Sequence, residues 1–510
     1  MPDQPNLLIL MADQLTPRVL NAYGGRVART PNMDLLAKEG VVFDSFYCNS
    51  PLCAPSRFSF MAGQLPSQIG AYDNAAEFPA QVPTFAHYLR AAGYQTALSG
   101  KMHFCGPDQL HGFEERLTTD IYPSDFGWTP DWRNFDARPP WYHTMDSVTQ
   151  AGSCTRTNQI DFDDEVVIAA RQKLFDIARG KDKRPFCLVV SMTHPHDPYV
   201  IPGEYWNRYR DEEIDMPRVA DLAKPGAGGR EDPHSRRLRH VIGLNSSTPT
   251  ESQVRAARRA YYGAVSYVDD QVGLLVGTLE QAQLDRNTVV VVLADHGDML
   301  GERGLWYKMN FFEPACRIPL IVHAPGRFVP RRVAGSASLL DLLPTFAALA
   351  SNGVEPGYAA PIGGRNLLPA IEGREIRDEV IGEYLAEGAI APIVMIRRGR
   401  YKFVHSPADP DQLYDIAADP DERVNLAGEA SHATTVADFR AEVGRRWVLA
   451  ELSEAVQLSQ QRRHFVYAAL RQGRFQPWDF QPIRDASRLY IRNDQELNDL
   501  ESMARFPRLA

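Results

Sequence analysis

Four apolar runs in this chain each stop on a cluster of reactive side chains, and that pattern constrains the fold more than any other feature. Residues 6–12 lead into Asp13-Gln14, residues 95–99 into Lys101 and His103, residues 186–192 into His194, His196 and Asp197, and residues 288–294 into Asp295-His296-Gly297-Asp298. Together with a fifth run at 320–324, these segments are short and almost unbroken in hydrophobicity, as strands buried on both faces are. Helical patterns lie between them at 32–39, 84–92, 164–179 and 251–283. In the longest, apolar residues recur at helical spacing through Tyr261, Val265, Val268, Val272, Leu275 and Leu279. Asp164 is the expected N-cap of its helix, and Gly93 the expected stop of another. The alternation predicts an α/β fold on a large, mostly parallel sheet flanked by helices. Ligands of open α/β sheets bind beyond the carboxyl ends of the strands. One polar strand end means little, because every strand must stop. Four that carry carboxylate, imidazole and ammonium groups predict one composite site.

The rest of the chain is built differently. Residues 106–160 read as a long irregular insertion rich in aromatic side chains, and 224–234 as a surface loop. Short strands at 379–385, 393–397, 401–405 and 412–414, with turns at Arg398-Gly399-Arg400 and Asp409-Pro410-Asp411, predict a small antiparallel sheet. The expected division is an α/β domain carrying the composite site over 1–375, an antiparallel-sheet subdomain over 376–430, and C-terminal helices with an extended tail over 431–510. A net charge of −9 over 510 residues disfavours phosphate backbones and anionic lipid, so neither nucleic acid nor membrane is an expected partner. Six scattered cysteines without a CxxC pair exclude a disulfide framework and a zinc knuckle. The run at 6–12 lacks the basic flank and cleavage site of a signal peptide. A cytoplasmic location with reduced thiols is the resulting expectation.

Asp13, Gln14, Asp295 and His296 form a candidate set of hard metal ligands dominated by oxygen. Taken alone, Asp13 is a turn or cap residue; the second strand end with Asp295-His296 changes that reading. Such a set suits Ca²⁺ or Mg²⁺, and the imidazole admits Mn²⁺. In Cys53-Ala54-Pro55-Ser56-Arg57 the proline and serine suit a helix start, which puts the thiol beside a positive dipole end with Arg57 one turn on. A cysteine there is either an activated nucleophile or an inert buried thiol.

The same five residues fit C-x-P-S-R, the pattern at which cysteine is oxidised to formylglycine, and here the chain resembles the type I sulfatases of the alkaline phosphatase superfamily. The resemblance runs through Pro5-Asn6-Leu7-Leu8-Ile9 with Asp13, Gly100-Lys101-Met102-His103, Asp295-His296-Gly297, and Leu413-Tyr414-Asp415 followed by Asp419-Pro420 and Asn425-Leu426-Ala427. Within that family it is similar to bacterial choline sulfatases at Tyr72-Asp73-Asn74-Ala75-Ala76-Glu77, Thr193-His194-Pro195-His196-Asp197-Pro198-Tyr199, Trp306-Tyr307-Lys308-Met309-Asn310 and, most distinctively, across 106–123.

The resemblance implies a sulfatase-like fold and the hydrolysis of choline-O-sulfate, a small-molecule sulfate ester. Cys53 is implied to become formylglycine (3-oxoalanine) through a formylglycine-generating enzyme. One hydroxyl of its hydrate would attack sulfur, giving a covalent sulfated hemiacetal that the second hydroxyl reopens. The metal would sit among Asp13, Gln14, Cys53, Asp295 and His296, with Ca²⁺ the leading ion and Mg²⁺ or Mn²⁺ the alternatives. Arg57 and Lys101 would hold the diol, His103 act as base, and His196 and Lys308 bind sulfate and assist the leaving oxygen. Asn74 would donate to the sulfate. His194 is read as supporting its neighbours and Asp298 as structural.

A quaternary ammonium calls for aromatic faces and carboxylates. The resemblance nominates Trp128, His143 and Glu383 for it, while Trp132 and Tyr142 are read as packing. In the family an acidic residue from a neighbouring subunit's C-terminal tail also approaches the choline. The similar tail here, 491–501, places Asn498 at that position with Asp499 beside it, and implies a homo-oligomer, dimer or tetramer. Two alternatives accompany this reading. One is a broader alkyl or aryl sulfatase, or a phosphonate monoester or phosphodiester hydrolase, on the same scaffold. The other is a non-catalytic sulfate-ester binding protein with Cys53 unmodified.

Overall fold

The computed structural model describes residues 4–224, 230–374, 377–482 and 496–505. A nine-stranded sheet runs in the order Arg331–Ser338, Val41–Tyr47, Leu320–His323, Thr288–Ala294, Asn6–Ala12, Phe186–Met192, Gln95–Gly100 and Glu115–Arg116, with Arg317–Ile318 pairing beside it on Val41–Tyr47. Thr288–Ala294 and Phe186–Met192 are buried throughout, so both sheet faces are covered and the strands need no polar alternation. The sheet is mostly parallel. Leu320–His323 runs antiparallel to both neighbours because the chain returns to it through residues 295–319 without a crossover helix.

Two long helices belong to this part of the chain. Glu251–Gln281 starts on a capping box between Thr250 and Gln253 and buries the aliphatic stripe expected from its spacing. Asn158–Arg179 starts earlier than the sequence suggests. Its N-cap is Thr157, whose hydroxyl accepts from Ile160 N at 3.1 Å, and Asp164 lies inside the helix, accepting from Tyr267 Oη at 3.0 Å. Gly93 does follow its helix, Phe85–Ala91, with φ +92°.

The antiparallel sheet is formed by Glu379–Tyr384, Ile393–Arg398, Tyr401–Ser406 and Asp409–Asp415 in chain order. Asp409-Pro410-Asp411 is not its last turn: Asp409 already pairs with Ser406, and Pro410 is tolerated because this is the edge strand. Asn49 bridges the sheet to the segment before Cys53, donating from Nδ2 to Ile381 O at 2.7 Å and accepting at its backbone oxygen from Glu383 N at 2.8 Å. The expected loop at 224–234 falls partly outside the described residues, as does 491–495 of the tail. Beyond it Leu497–Ala504 is helical, with Asn498 and Asp499 exposed. Among the described residues, no helix is long and apolar enough to cross a membrane.

Candidate active site

Strand register assembles the site. Ala12 is level with Met192 on one side and with Ala294 on the other, and Gly100 is level with Ser191. Asp13, Lys101, Thr193 and Asp295 therefore emerge at one edge of the sheet. Two of the turns that follow use left-handed backbone at non-glycine residues, Gln14 at φ +66° and His103 at φ +61°. Each is held by a carboxylate. Asp295 Oδ1 accepts from Gln14 N at 3.0 Å, and Asp120 Oδ2 accepts from Met102 N and His103 N at 2.9 and 2.8 Å.

Cys53 opens the helix Cys53–Ala62, and Sγ lies 3.3 Å from His296 Nε2 and 4.0 Å from Asp13 Oδ1. Burial alone would push this thiol up, but Lys101, Lys308 and His296 around it hold it well below the ordinary value. Arg57, one turn on, is fully buried and donates from Nε to Asp295 Oδ2 at 2.8 Å, with Nη2 3.5 Å from Asp13 Oδ2. Lys101 pairs with Asp13 through Nζ and Oδ2. Burial would raise the Asp13 carboxyl, but Lys101, His196 and Arg57 hold it below the usual carboxylate range.

Asp13, Cys53, Asp295 and His296 are all buried, with ligand atoms within 4.8 Å of one another, and Gln14, next to Asp13 in the chain, offers an amide oxygen that accepts from Lys308 Nζ. Two carboxylates, an amide oxygen and an imidazole make a donor set that fits a hard divalent cation. Adding Ca²⁺ to metal-stripped protein is expected to raise the thermal midpoint, by about 2.7 kcal/mol of stability at a hundredfold excess over Kd. Calorimetry of the wild type and of Asp295→Asn checks this: the shift should vanish in the variant. His143, His196 and Asp197 form a second cluster of the same tightness. Both ring nitrogens of its His196 are already engaged, Nδ1 by Asp197 O at 2.7 Å and Nε2 by Lys308 Nζ at 2.8 Å.

A cavity of about 250 Å³ opens over Cys53. Asn74, His103, His196 and Lys308 line it, and the aromatic insertion supplies Tyr122, Trp128, Trp141, Tyr142 and His143. Asn74 Oδ1 accepts from Ala54 N at 2.9 Å, which leaves the amide nitrogen as the donor for a ligand. Lys308 Nζ also donates to Gln14 Oε1 at 2.6 Å. Among the described residues, neither buried ring nitrogen of His103 has a hydrogen-bond partner. His194 sits behind, bonded through Nδ1 to Asp163 at 2.7 Å, and Asp298 accepts from Gln14 Nε2 and Tyr199 Oη at 2.6 and 2.7 Å.

Three placements differ from the sequence reading. Glu383 does not face the cavity: its carboxylate accepts from Ser67 N and Oγ and from Trp447 Nε1 at 2.9, 2.6 and 2.6 Å. Besides Asp197, the carboxylate that lines the cavity is Glu387, just past the same strand, where a fifth strand end could have been read as part of the site. Tyr142 lines the cavity instead of only packing the insertion, whereas Trp132 is buried with Nε1 donating to Ala386 O at 3.0 Å. Tyr122, which had no separate role in the sequence reading, stands with its ring centroid 4.5 Å from Lys101 Nζ. Asp499 does not reach the cavity of its own chain.

The site thus sets a thiol at a helix start between buried lysines and an oxygen-rich cluster, at the carboxyl ends of parallel strands. The family model described as Sulfatase matches residues 5–353, and the chain belongs to that family as a sulfuric ester hydrolase. Over 514 aligned residues, covering 99% of each chain, it is 48% identical to the choline-sulfatase of Rhizobium meliloti. Residues 454–506 match the model described as choline sulfatase enzyme C terminal, and 301–447 the N-sulphoglucosamine sulphohydrolase C-terminal model. The iduronate 2-sulfatase of Mus musculus is 29% identical, covering 70% of this chain and 71% of its own. Among solved structures, the phosphonate monoester hydrolase of Agrobacterium radiobacter superposes with a TM-score of 0.69 at 23% identity, covering 90% of this chain and 96% of that one, a likeness of fold.

Proposed function

We propose that this sulfatase hydrolyses choline-O-sulfate to choline and sulfate, with Cys53 converted to formylglycine. The observation that carries the reading is the mixed character of one cavity. Lys308, His196 and the Asn74 amide stand by Cys53 for a sulfate, while Trp128, Trp141, Tyr142 and the Glu387 carboxylate offer rings and negative charge for a quaternary ammonium. Full-length identity of 48% to a choline-sulfatase supports the same substrate.

Formylglycine at residue 53 would supply a geminal diol, and with it a second hydroxyl that an ordinary serine lacks. A divalent ion held by Asp13, Gln14, Asp295 and His296 supplies Lewis acidity toward oxygen. The remaining work falls to fixed side chains. Arg57 holds Asp13 and Asp295 in place, and Lys101 brings a buried positive charge to the nucleophile. Lys308 and Asn74 Nδ2 bind sulfate oxygens. The proton between Lys308 Nζ and His196 Nε2 is placed for the departing alkoxide, which is too basic to leave unassisted. His103, with no other partner for its ring, takes the proton when sulfate is released.

In the same reading the protein is a cytoplasmic homo-oligomer, dimer or tetramer, modified by a formylglycine-generating enzyme, with residues 1–375 catalytic. Asp499 of the exposed tail helix completes the cation site of a neighbouring subunit.

The Glu387 carboxyl is pushed up to about 7, first by burial and then by Asp73. Above that pH it is ionised and complements a cation. For choline-O-sulfate, kcat/KM is therefore expected to rise with pH through about 7, whereas a neutral alkyl sulfate lacks that limb. Paired pH profiles check this, and superimposable profiles would contradict the role of Glu387. The function itself is tested by steady-state kinetics on choline-O-sulfate, an aryl sulfate and a phosphonate monoester. The choline ester should have the highest kcat/KM; a phosphonate monoester above it would overturn the assignment.

A further inference from the structure

The aromatic segment 126–132 belongs to neither large sheet, and among the described residues its regular structure is limited to the short helical turns Phe126–Trp128 and Trp132–Asn134. It is held by the C-terminal helix Leu449–Leu470. Gln460 Oε1 accepts from Trp132 N at 3.0 Å, His464 Nε2 lies 3.2 Å from Pro130 O, and Arg463 Nη1 donates to Thr129 Oγ1 at 3.1 Å. Gly127 admits Tyr467, since a Cβ there would come within 2.9 Å of the tyrosine hydroxyl.

Arg463 reaches further. Its guanidinium forks onto Asp73, Nη1 to Oδ1 at 2.6 Å and Nη2 to Oδ2 at 2.7 Å. Asp73 Oδ1 also accepts from Ala75 N at 3.0 Å, which fixes the turn carrying Asn74. One guanidinium, 6% exposed, thus ties the turn of Asn74 to the turn of Trp128, and both of those side chains line the cavity over Cys53. The planar fork can pair two carboxylate oxygens and still present an N–H to Thr129; a lysine ammonium cannot match that geometry.

We propose that Arg463 is a positioning residue for substrate selectivity. It fixes the Trp128 ring and the Asn74 amide in one register, so that the cation and the sulfate of a single small ester are met together. The inference rests on the reading of Trp128 as the ring that receives the cation. It also gives the C-terminal helix a part in specificity within its own chain, separate from any contact between subunits.

The test compares kcat/KM for choline-O-sulfate and for its neutral isostere, 3,3-dimethylbutyl sulfate, in the wild type, Arg463→Gln, Trp128→Ala and the double variant Trp128→Ala/Arg463→Gln. Because Arg463→Gln strands a buried carboxylate, Asp73→Asn/Arg463→Gln is measured beside it, removing both charges together. Choline selectivity is expected to fall about tenfold or more in both Arg463 variants, and to fall no further when Trp128 is already gone. An equal loss on both esters with selectivity intact overturns the inference, as does a loss fully additive with Trp128→Ala. A wild type without preference for the choline ester overturns the functional reading and this inference with it. A selective wild type with equally selective Arg463 variants overturns the inference alone.

Discussion

Replacing Cys53 by serine is expected to lower kcat on choline-O-sulfate by on the order of 10⁴-fold or more, with little change in thermal stability. The two side chains are close in size, and Cys53 is already surrounded by polar groups, with His296 Nε2 at 3.3 Å and Asp13 Oδ1 at 4.0 Å. What serine lacks is chemical. A sulfated serine has no second hydroxyl from which to expel sulfate, so release would need water to attack an anionic ester in a site built to hold that ester still. Steady-state turnover and the thermal midpoint, measured together, separate this from unfolding. Activity within tenfold of the wild type would mean that residue 53 is not the nucleophile's carrier. Mass analysis of the wild-type peptide containing Cys53 complements it, since the account expects an aldehyde there in place of the thiol.

Lys308→Ala should cost about 10²- to 10³-fold in kcat on choline-O-sulfate, or roughly 3–4 kcal/mol, the range for losing one charge-stabilising donor in a dry site. The ammonium is buried and reaches both Gln14 Oε1 at 2.6 Å and His196 Nε2 at 2.8 Å. Burial would lower its pKa, but Cys53, Asp197 and Asp13 hold it above the ordinary lysine value, so it stays charged through the working pH range. Its substitution removes a sulfate contact and the ammonium proton shared with His196 Nε2. An alkyl leaving group needs that proton, and an aryloxide does not. An aryl sulfate should therefore lose less than about tenfold under the same substitution. Equal losses on the two esters would place Lys308 on the sulfate alone and take His196 out of leaving-group protonation.

The catalytic half of this site was legible because it hangs on buried parallel strands, which read as unbroken apolar runs with abrupt polar ends. Four other strands of the same sheet were not legible, and two of them, Glu115–Arg116 and Arg317–Ile318, are only two residues long. Val41–Tyr47 is interrupted by Asp44-Ser45, and Arg331–Ser338 is an edge strand whose arginines, serines and glycine carry no hydrophobic signal. The start of Asn158–Arg179 was hidden because its first turn is polar and Asp164 resembles a cap as well as Thr157 does. The cation end of the cavity was legible only by resemblance, which nominates Glu383, whereas Glu387 lines the cavity. One lies within a strand and turns to Trp447; the other follows the strand and turns to the cavity. Which carboxylate faces the ligand depends on the packing of the C-terminal helices against that strand, and nothing local to either glutamate records it. The same holds for Trp141 and Tyr142, stacked edge to face with centroids 4.5 Å apart, where a packing role and a lining role look alike in sequence.

The central claim is that this sulfatase selects its substrate by positive charge. Choline-O-sulfate and 3,3-dimethylbutyl sulfate share shape and differ in that charge, which also makes choline the less basic leaving group. The ratio of their kcat/KM values is therefore read in the wild type and again in Trp128→Ala, where the leaving-group difference is unchanged. The account predicts a wild-type preference for the choline ester of about 30-fold or more, the worth of ~2 kcal/mol for a desolvated cation–π contact, with most of it lost in Trp128→Ala. Equal kcat/KM for the two esters in the wild type would contradict it.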